Sequence, residues 1–289
     1  MTNKIIERKT KKIKEEKEDN INIFLYHTIL GRIILKILIA KPISKIYGYY
    51  LDSKLSIPKI KKFIKKNNIN MDDYLKEDYQ SFNEFFKRKI NLTKRPIPQD
   101  NNILISPCDS KLSVYKIKDN TFKIKNTYYH IENLTHTKDY LNYDYALIFR
   151  LCVDDYHRYC YVDNGTKEEN HHIKGVLHTV RPIAQEKYPI FSQNEREWTI
   201  LHTENFNDII EIEVGALMVG KIVNHHNEKT FKKGKEKGYF KFGASTIVLL
   251  VKDIKIDEDL IKNTNNNLET IVKMGERIGI KSKQVVLWY

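Results

Sequence analysis

The alternation of apolar and polar positions divides the chain into three stretches of different character. Residues 1–20 are dominated by Lys and Glu; so few apolar positions do not offset the entropy of ordering and predict a disordered lead. From Ile21 to Ala40 the text becomes INIFLYHTILGRIILKILIA, strongly apolar but interrupted by Arg32 and Lys36. Those charges leave no uncharged window of the length a bilayer-spanning helix needs, about 18 residues. Read as one helix, the stretch puts Thr28, Arg32 and Lys36 on one stripe, while Phe24, Leu25, Ile29, Ile33 and Ile37 fill the remaining surface. Two settings satisfy that pattern. One is a bilayer interface, with Lys41 and Lys45 near anionic head groups; the other is a face packed on the protein's own domain.

Two shorter helices follow in the pattern. Pro58 suits a first helical turn and Ile60, Phe63 and Ile64 form an apolar face, opposite a face that is nearly all Lys. Ser81 with Glu84 reads as a capping box ahead of Phe82, Phe85 and Phe86, with Arg88 and Lys89 at the C-terminal end. Arg95, Pro96 and Pro98 mark a linker, so residues 21–98 read as a helical, membrane-associating region. From Ile103 the text changes to short β-branched and aromatic runs broken by Asn, Asp, Gly and Pro. Strands are predicted at Lys111 to Ile117, Tyr145 to Val153, Lys174 to Val180, Trp198 to His202, Ile209 to Val214 and Thr246 to Val251. Their connections are too short for crossover helices, so the sheet should be mainly antiparallel. The tail beyond Ile256, with Leu268, Ile271, Val272 and Met274, reads as helical. The predicted fold class is α+β, with residues 99–289 as a β-rich catalytic core.

Composition adds a partner class. With 50 Lys and Arg against 37 Asp and Glu, the net charge of +13 calls for an anionic partner: nucleic acid, an acidic membrane surface or a phosphorylated substrate. No aromatic RNP run or zinc-finger spacing accompanies the charge, which disfavours nucleic acid. Cys108, Cys152 and Cys160 are an odd number without a CxxC pattern or a secretory leader, so a reducing, cytoplasmic-side location without disulfides is expected. His171 with His172 and His225 with His226 are adjacent pairs whose side chains would leave opposite faces of a strand, and no metal is expected.

Four polar islands could carry chemistry: SPCDSKL around Asp109, RLCVDDYHRYCYVDNG around His157, FSQNERE around Asn194 and Arg196, and FGAST ahead of the apolar run IVLLV. Singly, each has an ordinary reading as a turn Asp, a structural His or a strand start. Together they supply a hydroxyl, an imidazole base and a carboxylate that could orient it. A hydroxyl at a strained corner, pinned by a buried strand, can be aimed back at the preceding carbonyl, so the leading expectation is that the chain cuts itself at Ser245. The G-x-S-x-G elbow of a hydrolase does not occur around Ser245.

The ordered motifs SKIYGYYLDSKLS, SFNEFFKRKI, RPI, SPCDSKL, DYHRYC, VLHTVRPIA, NERE, VGALMVGKIV and KGKEKGYFKFGASTIVLL run from about Ser44 to Gly279. In this combination the chain resembles the phosphatidylserine decarboxylase family, pyruvoyl-dependent membrane enzymes, and most of all its shorter bacterial members. The resemblance implies that Ser245 attacks the carbonyl of Ala244. Cleavage there gives a β chain of residues 1–244 and an α chain of residues 245–289 that begins with a pyruvoyl group. It also implies phosphatidylserine in an anionic membrane as substrate, phosphatidylethanolamine and CO2 as products, and a peripheral site on the cytoplasmic face of the cell membrane. A homodimer is left open. The family's Asp in P-x-D-G falls on Asp109, and its paired histidines fall on His157 and Cys160. This chain departs from the pattern at Ala244 and Ser110, where Gly is usual, and at Cys160, where the family places the histidine of its cleavage triad. Either His157 covers both tasks, or Cys160 substitutes, or His178 moves in, or cleavage is lost. The last leaves an uncleaved, non-catalytic lipid-binding homologue as the alternative.

Overall fold

The run after the FGAST corner has no polar side because both of its faces are covered: every residue of Ser245–Val251 is buried. The computed structural model describes residues 2–138, 142–216, 221–225, 229–243 and 245–282. Within it, Ser245–Val251 lies inside an 11-stranded sheet, paired antiparallel with Asp208–Val214 on one side and Tyr145–Leu151 on the other. Arg196–Thr203 extends the sheet beyond the first, and Ser110–Lys116 and Leu268–Val272 extend it beyond the second. One face carries Leu112, Phe149, Ile247 and Leu249 against Tyr159, Cys160 and Phe240. The other carries Ile148, Ile200, Ile212 and Val248 against Phe122, Tyr129, Phe191 and the N-terminal Tyr26 and Leu35. A sheet buried on both sides demands apolar residues at consecutive positions, and so these strands are legible without alternation. The α+β class and the mainly antiparallel sheet agree with the sequence reading.

Four segments differ from that reading, each for a physical reason. The lead is ordered: Thr2–Glu7 and Ile13–Lys17 form a hairpin whose first strand joins Leu268–Val272 in parallel. Its charges find partners far along the chain, Arg8 with Asp257 (2.6 Å) and Asp259 (2.8 Å), and Glu16 with the buried Arg150 (2.7 Å). Composition counts those charges as solvated and cannot see the partners. Residues 174–180 form no strand, because the side chain of Asn194 bonds both the N–H (3.0 Å) and the C=O (2.8 Å) of His178 and replaces a ladder there. In the tail the helix is Glu258–Asn265, while Leu268–Val272 is a strand, filling the slot between Ser110–Lys116 and the N-terminal hairpin.

The fourth difference lies in Ile21 to Ala40, which is two helices, Asn20–His27 and Ile29–Leu38, bent by 101°. Thr28 between them is extended, and its hydroxyl accepts the Gly31 N–H at 2.9 Å as an N-cap. Gly31 permits the bend, since a Cβ there would stand 2.0 Å from the carbonyl oxygen of Phe24. No single described helix is long and apolar enough to cross a membrane. Leu25, Tyr26 and Leu35 face the core, leaving Ile29, Leu30, Ile33 and Ile37 between 56% and 74% exposed.

The rest of the helical region builds a separate aromatic cluster. Lys41–Asp52, Pro58–Asn67 and Phe82–Phe86 pack Leu51, Ile60, Phe63, Phe82, Phe85 and Phe86 together. Ser81 caps the last helix by accepting the Glu84 N–H (3.2 Å), and the Glu84 carboxylate turns to the Gln80 N–H (2.7 Å) rather than back to Ser81. Phe242, just upstream of Ser245, inserts into this cluster and so ties the helical region to the corner.

Candidate active site

Register delivers the base to the hydroxyl. Ser245 pairs with Leu151, the last residue of its strand, so the following loop, residues 152–157, folds directly over Ser245. Gly243, at φ +134°, supplies the sharp entry into the strand that a side-chain-bearing residue would resist. The result places Ser245 Oγ 3.4 Å from His157 Nδ1, both residues fully buried. That separation falls in the looser range nucleophile and base occupy before reaction.

The tautomer follows from the other ring nitrogen. His157 Nε2 lies 2.8 Å from the Cys152 carbonyl oxygen. A carbonyl only accepts, so Nε2 is assigned the proton and Nδ1 presents its lone pair to the Ser245 hydroxyl. Burial pushes the imidazole down to about 3, which keeps it neutral and able to accept a proton. The ring is held from its other side by Phe86, with centroids 4.2 Å apart.

The carboxylate that steadies this arrangement is Asp155. Its Oδ2 accepts the Cys152 N–H at 2.7 Å and Lys111 Nζ at 2.6 Å, locking the loop whose carbonyl meets His157. The sequence reading gave Asp155, Lys111 and Phe86 no part in the site, naming Lys111 only as a strand start and Phe86 only as a packing residue. The available signal was the doubled Asp in VDDYH, since Asp readily closes such turns on a nearby backbone N–H.

Asp109 bonds to groups other than the hydroxyl and imidazole. It accepts from Arg95 Nε (2.9 Å) and Nη2 (2.6 Å), from Lys273 Nζ (3.1 Å) and from the Met274 N–H (2.9 Å). Burial would raise its carboxyl, but these donors hold it below the usual carboxylate range. Among the described residues it makes no hydrogen bond to His157 or Ser245, and it joins the linker, the Ser110 strand and the C-terminal segment instead. Cys160 likewise makes no contact of that kind with Ser245; its N–H bonds Pro107 O at 2.9 Å, and burial raises its thiol well above the ordinary value. Arg158 cannot offset this, because Glu236 takes its guanidinium at 2.7 and 2.9 Å. His178 stacks on Tyr188 at 4.5 Å and sits 3.3 Å from the Tyr26 hydroxyl, its imidazole lowered to about 4 by burial. Asn194 and Arg196 bond backbone carbonyls around Leu134, His178 and Gly215. Ala244 lies outside the described residues.

Two charged clusters complete the surroundings. Cys152, Asp154 and Asp155 bring ligand-type atoms within 4.8 Å of one another, but Lys111 Nζ, 2.6 Å from Asp155, already supplies the cation. On the sheet face that carries Ser245, buried Glu213 pairs with Lys237, and Glu211 lies 3.8 Å from the same ammonium. Burial, with Glu213 close by, raises the Glu211 carboxyl above the ordinary carboxylate range.

A family model described as phosphatidylserine decarboxylase matches residues 82–280. Phosphatidylserine decarboxylase proenzyme 2 of Clostridium acetobutylicum is 50% identical over 264 residues, covering 89% of this chain and 90% of its own. Phosphatidylserine decarboxylase proenzymes of Clostridium kluyveri and Clostridium novyi are 42% and 41% identical, each alignment covering 96% of this chain and 99% of the relative.

Proposed function

The chain belongs to the phosphatidylserine decarboxylase family, and from that premise we propose that it decarboxylates phosphatidylserine to phosphatidylethanolamine and CO2 with a pyruvoyl group made from its own Ser245. The observation that carries the reading is the buried pair of Ser245 Oγ and a neutral His157 Nδ1 at the mouth of a strand. His157 takes the hydroxyl proton as Oγ attacks the carbonyl carbon of residue 244. The peptide C–N bond then breaks, the amine of residue 245 gains the proton, and an ester links the two halves. Loss of the Cα proton of residue 245 expels the carboxylate of residue 244 and leaves a dehydroalanine. Its tautomer takes up one water and releases ammonia, so the new chain starts with a ketone. That ketone supplies the electron sink which decarboxylation of an amino acid requires and which no standard side chain offers. The fit is in the residues: a fully buried serine hydroxyl within 3.4 Å of an imidazole nitrogen, and a base kept unprotonated by burial.

Intact-mass measurement tests this. The purified protein should separate into two chains dividing between residues 244 and 245, the smaller refusing N-terminal sequencing, and should form phosphatidylethanolamine from phosphatidylserine vesicles. A single chain of full mass overturns the reading.

The substrate is a lipid, and the exposed isoleucines of Ile29–Leu38 stand with Arg32 and Lys36 on a chain of net charge +13. Such a surface suits peripheral binding to an anionic bilayer on its cytoplasmic face, apolar side chains entering the interface and cations meeting head groups. Replacing Ile33 and Ile37 together by Glu should abolish co-sedimentation with phosphatidylserine vesicles while cleavage at Ser245 proceeds normally. Undiminished binding by that variant would remove the helix from the membrane role.

A further inference from the structure

Ser245 and His157 stand 88 residues apart in the chain, and the gap between their reactive atoms depends on how residues 240–245 enter the strand. Gly243 makes that entry permissive, so neighbouring contacts must select one path. Successive backbone N–H groups of the segment are tied down, that of Lys241 to the Lys221 carbonyl at 3.0 Å. The Phe240 N–H donates to the carbonyl of His157 itself at 2.9 Å, and the Phe242 N–H donates to Asn83 Oδ1 at 3.1 Å. Asn83 is 2% exposed and sits in the short helix Phe82–Phe86. Its other amide atom, Nδ2, donates to Asp52 Oδ1 at 3.0 Å, and Asp52 Oδ2 receives Lys241 Nζ at 3.2 Å. The amide therefore cannot turn over: its oxygen needs the Phe242 donor and its nitrogen needs the Asp52 acceptor. Three residues further along the same helix, Phe86 lies tilted against the His157 ring with centroids 4.2 Å apart and meets Phe242 edge-on at 5.0 Å. One helix thus touches both the arm that carries the hydroxyl and the ring that takes its proton.

We propose that Asn83, oriented by Asp52, is a positioning residue for self-cleavage: it fixes the Phe242 N–H so that the corner presents Ser245 Oγ to His157. The proposal rests on the self-cleavage reading above. A displacement of about 1 Å at a reacting centre costs on the order of a hundredfold in rate, so loss of this latch should act on speed before it acts on folding.

The test follows cleavage of freshly synthesised full-length chain in a cell-free pulse-chase, with melting temperatures measured in a Ser245→Ala background where no variant is cut. Asn83→Ala should slow cleavage by about tenfold to a hundredfold. Asn83→Asp keeps the acceptor for Phe242 but sets a carboxylate against Asp52, and should slow cleavage comparably. Combining it with Asp52→Asn reverses donor and acceptor between the two residues, and should restore a rate within about threefold of wild type, because the Phe242 N–H again has a held acceptor. Should Asn83→Ala fail to fold, the Asp single variant and the exchanged pair, which preserve volume, decide the matter. Wild-type speed in Asn83→Ala, or an exchanged pair that folds yet stays as slow as the single variant, overturns the positioning role alone. An uncut wild-type chain overturns self-cleavage and this proposal with it.

Discussion

Ser245→Ala leaves one chain of full mass that forms no phosphatidylethanolamine. Alanine offers no atom to attack the carbonyl of residue 244, so neither the ester nor the ketone that derives from it arises. The variant should still fold, because among the described residues the side-chain hydrogen bond lost is the 3.4 Å contact with His157, worth about 1 kcal/mol at most. Mass spectrometry and a melting curve on the same sample separate the two effects. Cleavage between residues 244 and 245 in this variant would remove Ser245 from the chemistry.

His157→Ala slows cleavage by roughly a hundredfold to ten-thousandfold, the ordinary range for a lost general base. Cys160→Ala and His178→Ala should leave the rate within a few-fold of wild type, since among the described residues neither side chain hydrogen-bonds the hydroxyl. A loss in Cys160→Ala as deep as in His157→Ala would return the thiol to the role its motif position suggests. The pH dependence is distinctive as well. Burial lowers the imidazole to about 3, so the cleavage rate should lack the acid limb that a free imidazole shows near pH ~6.5. Stability behaves in the complementary way. The folded value lies below the unfolded one, so the unfolded chain binds the proton first. His157 therefore contributes no acid sensitivity above about pH 6.5 and costs about 1.4 kcal/mol per unit as pH falls from there toward the folded value. A stability curve for His157→Gln in the Ser245→Ala background should be flatter across that window.

Much of the fold was legible because its strands are buried on both faces: Ser245–Val251 and Tyr145–Leu151 read as strands from apolar β-branched runs alone. The Ser81 cap and the phenylalanines behind it were equally plain. What failed did so where one part of the chain depends on a remote one. The lysine- and glutamate-rich lead becomes a hairpin because Arg150, Asp257 and Asp259 wait for its charges. Residues 174–180 lose their ladder to a single asparagine side chain. The helix of Ile21 to Ala40 breaks at Thr28, whose cap competes with continuation.

Within the site the division is similar. The sequence by itself determined the family, the α+β class, Ser245 at the head of a buried strand and His157 as the candidate base, since these rest on residue type, local pattern and motif order. Only the tertiary structure decided which groups serve them. Asp109 is drawn away by Arg95 and Lys273, and Cys160 is sealed in the core as a neutral thiol. In their place stand the Cys152 carbonyl, Asp155 and Phe86 around the imidazole. The physical reason is that a hydrogen bond depends on distances of a few tenths of an ångström between atoms brought together by strand register and loop closure, and neither is written at the position of any one residue.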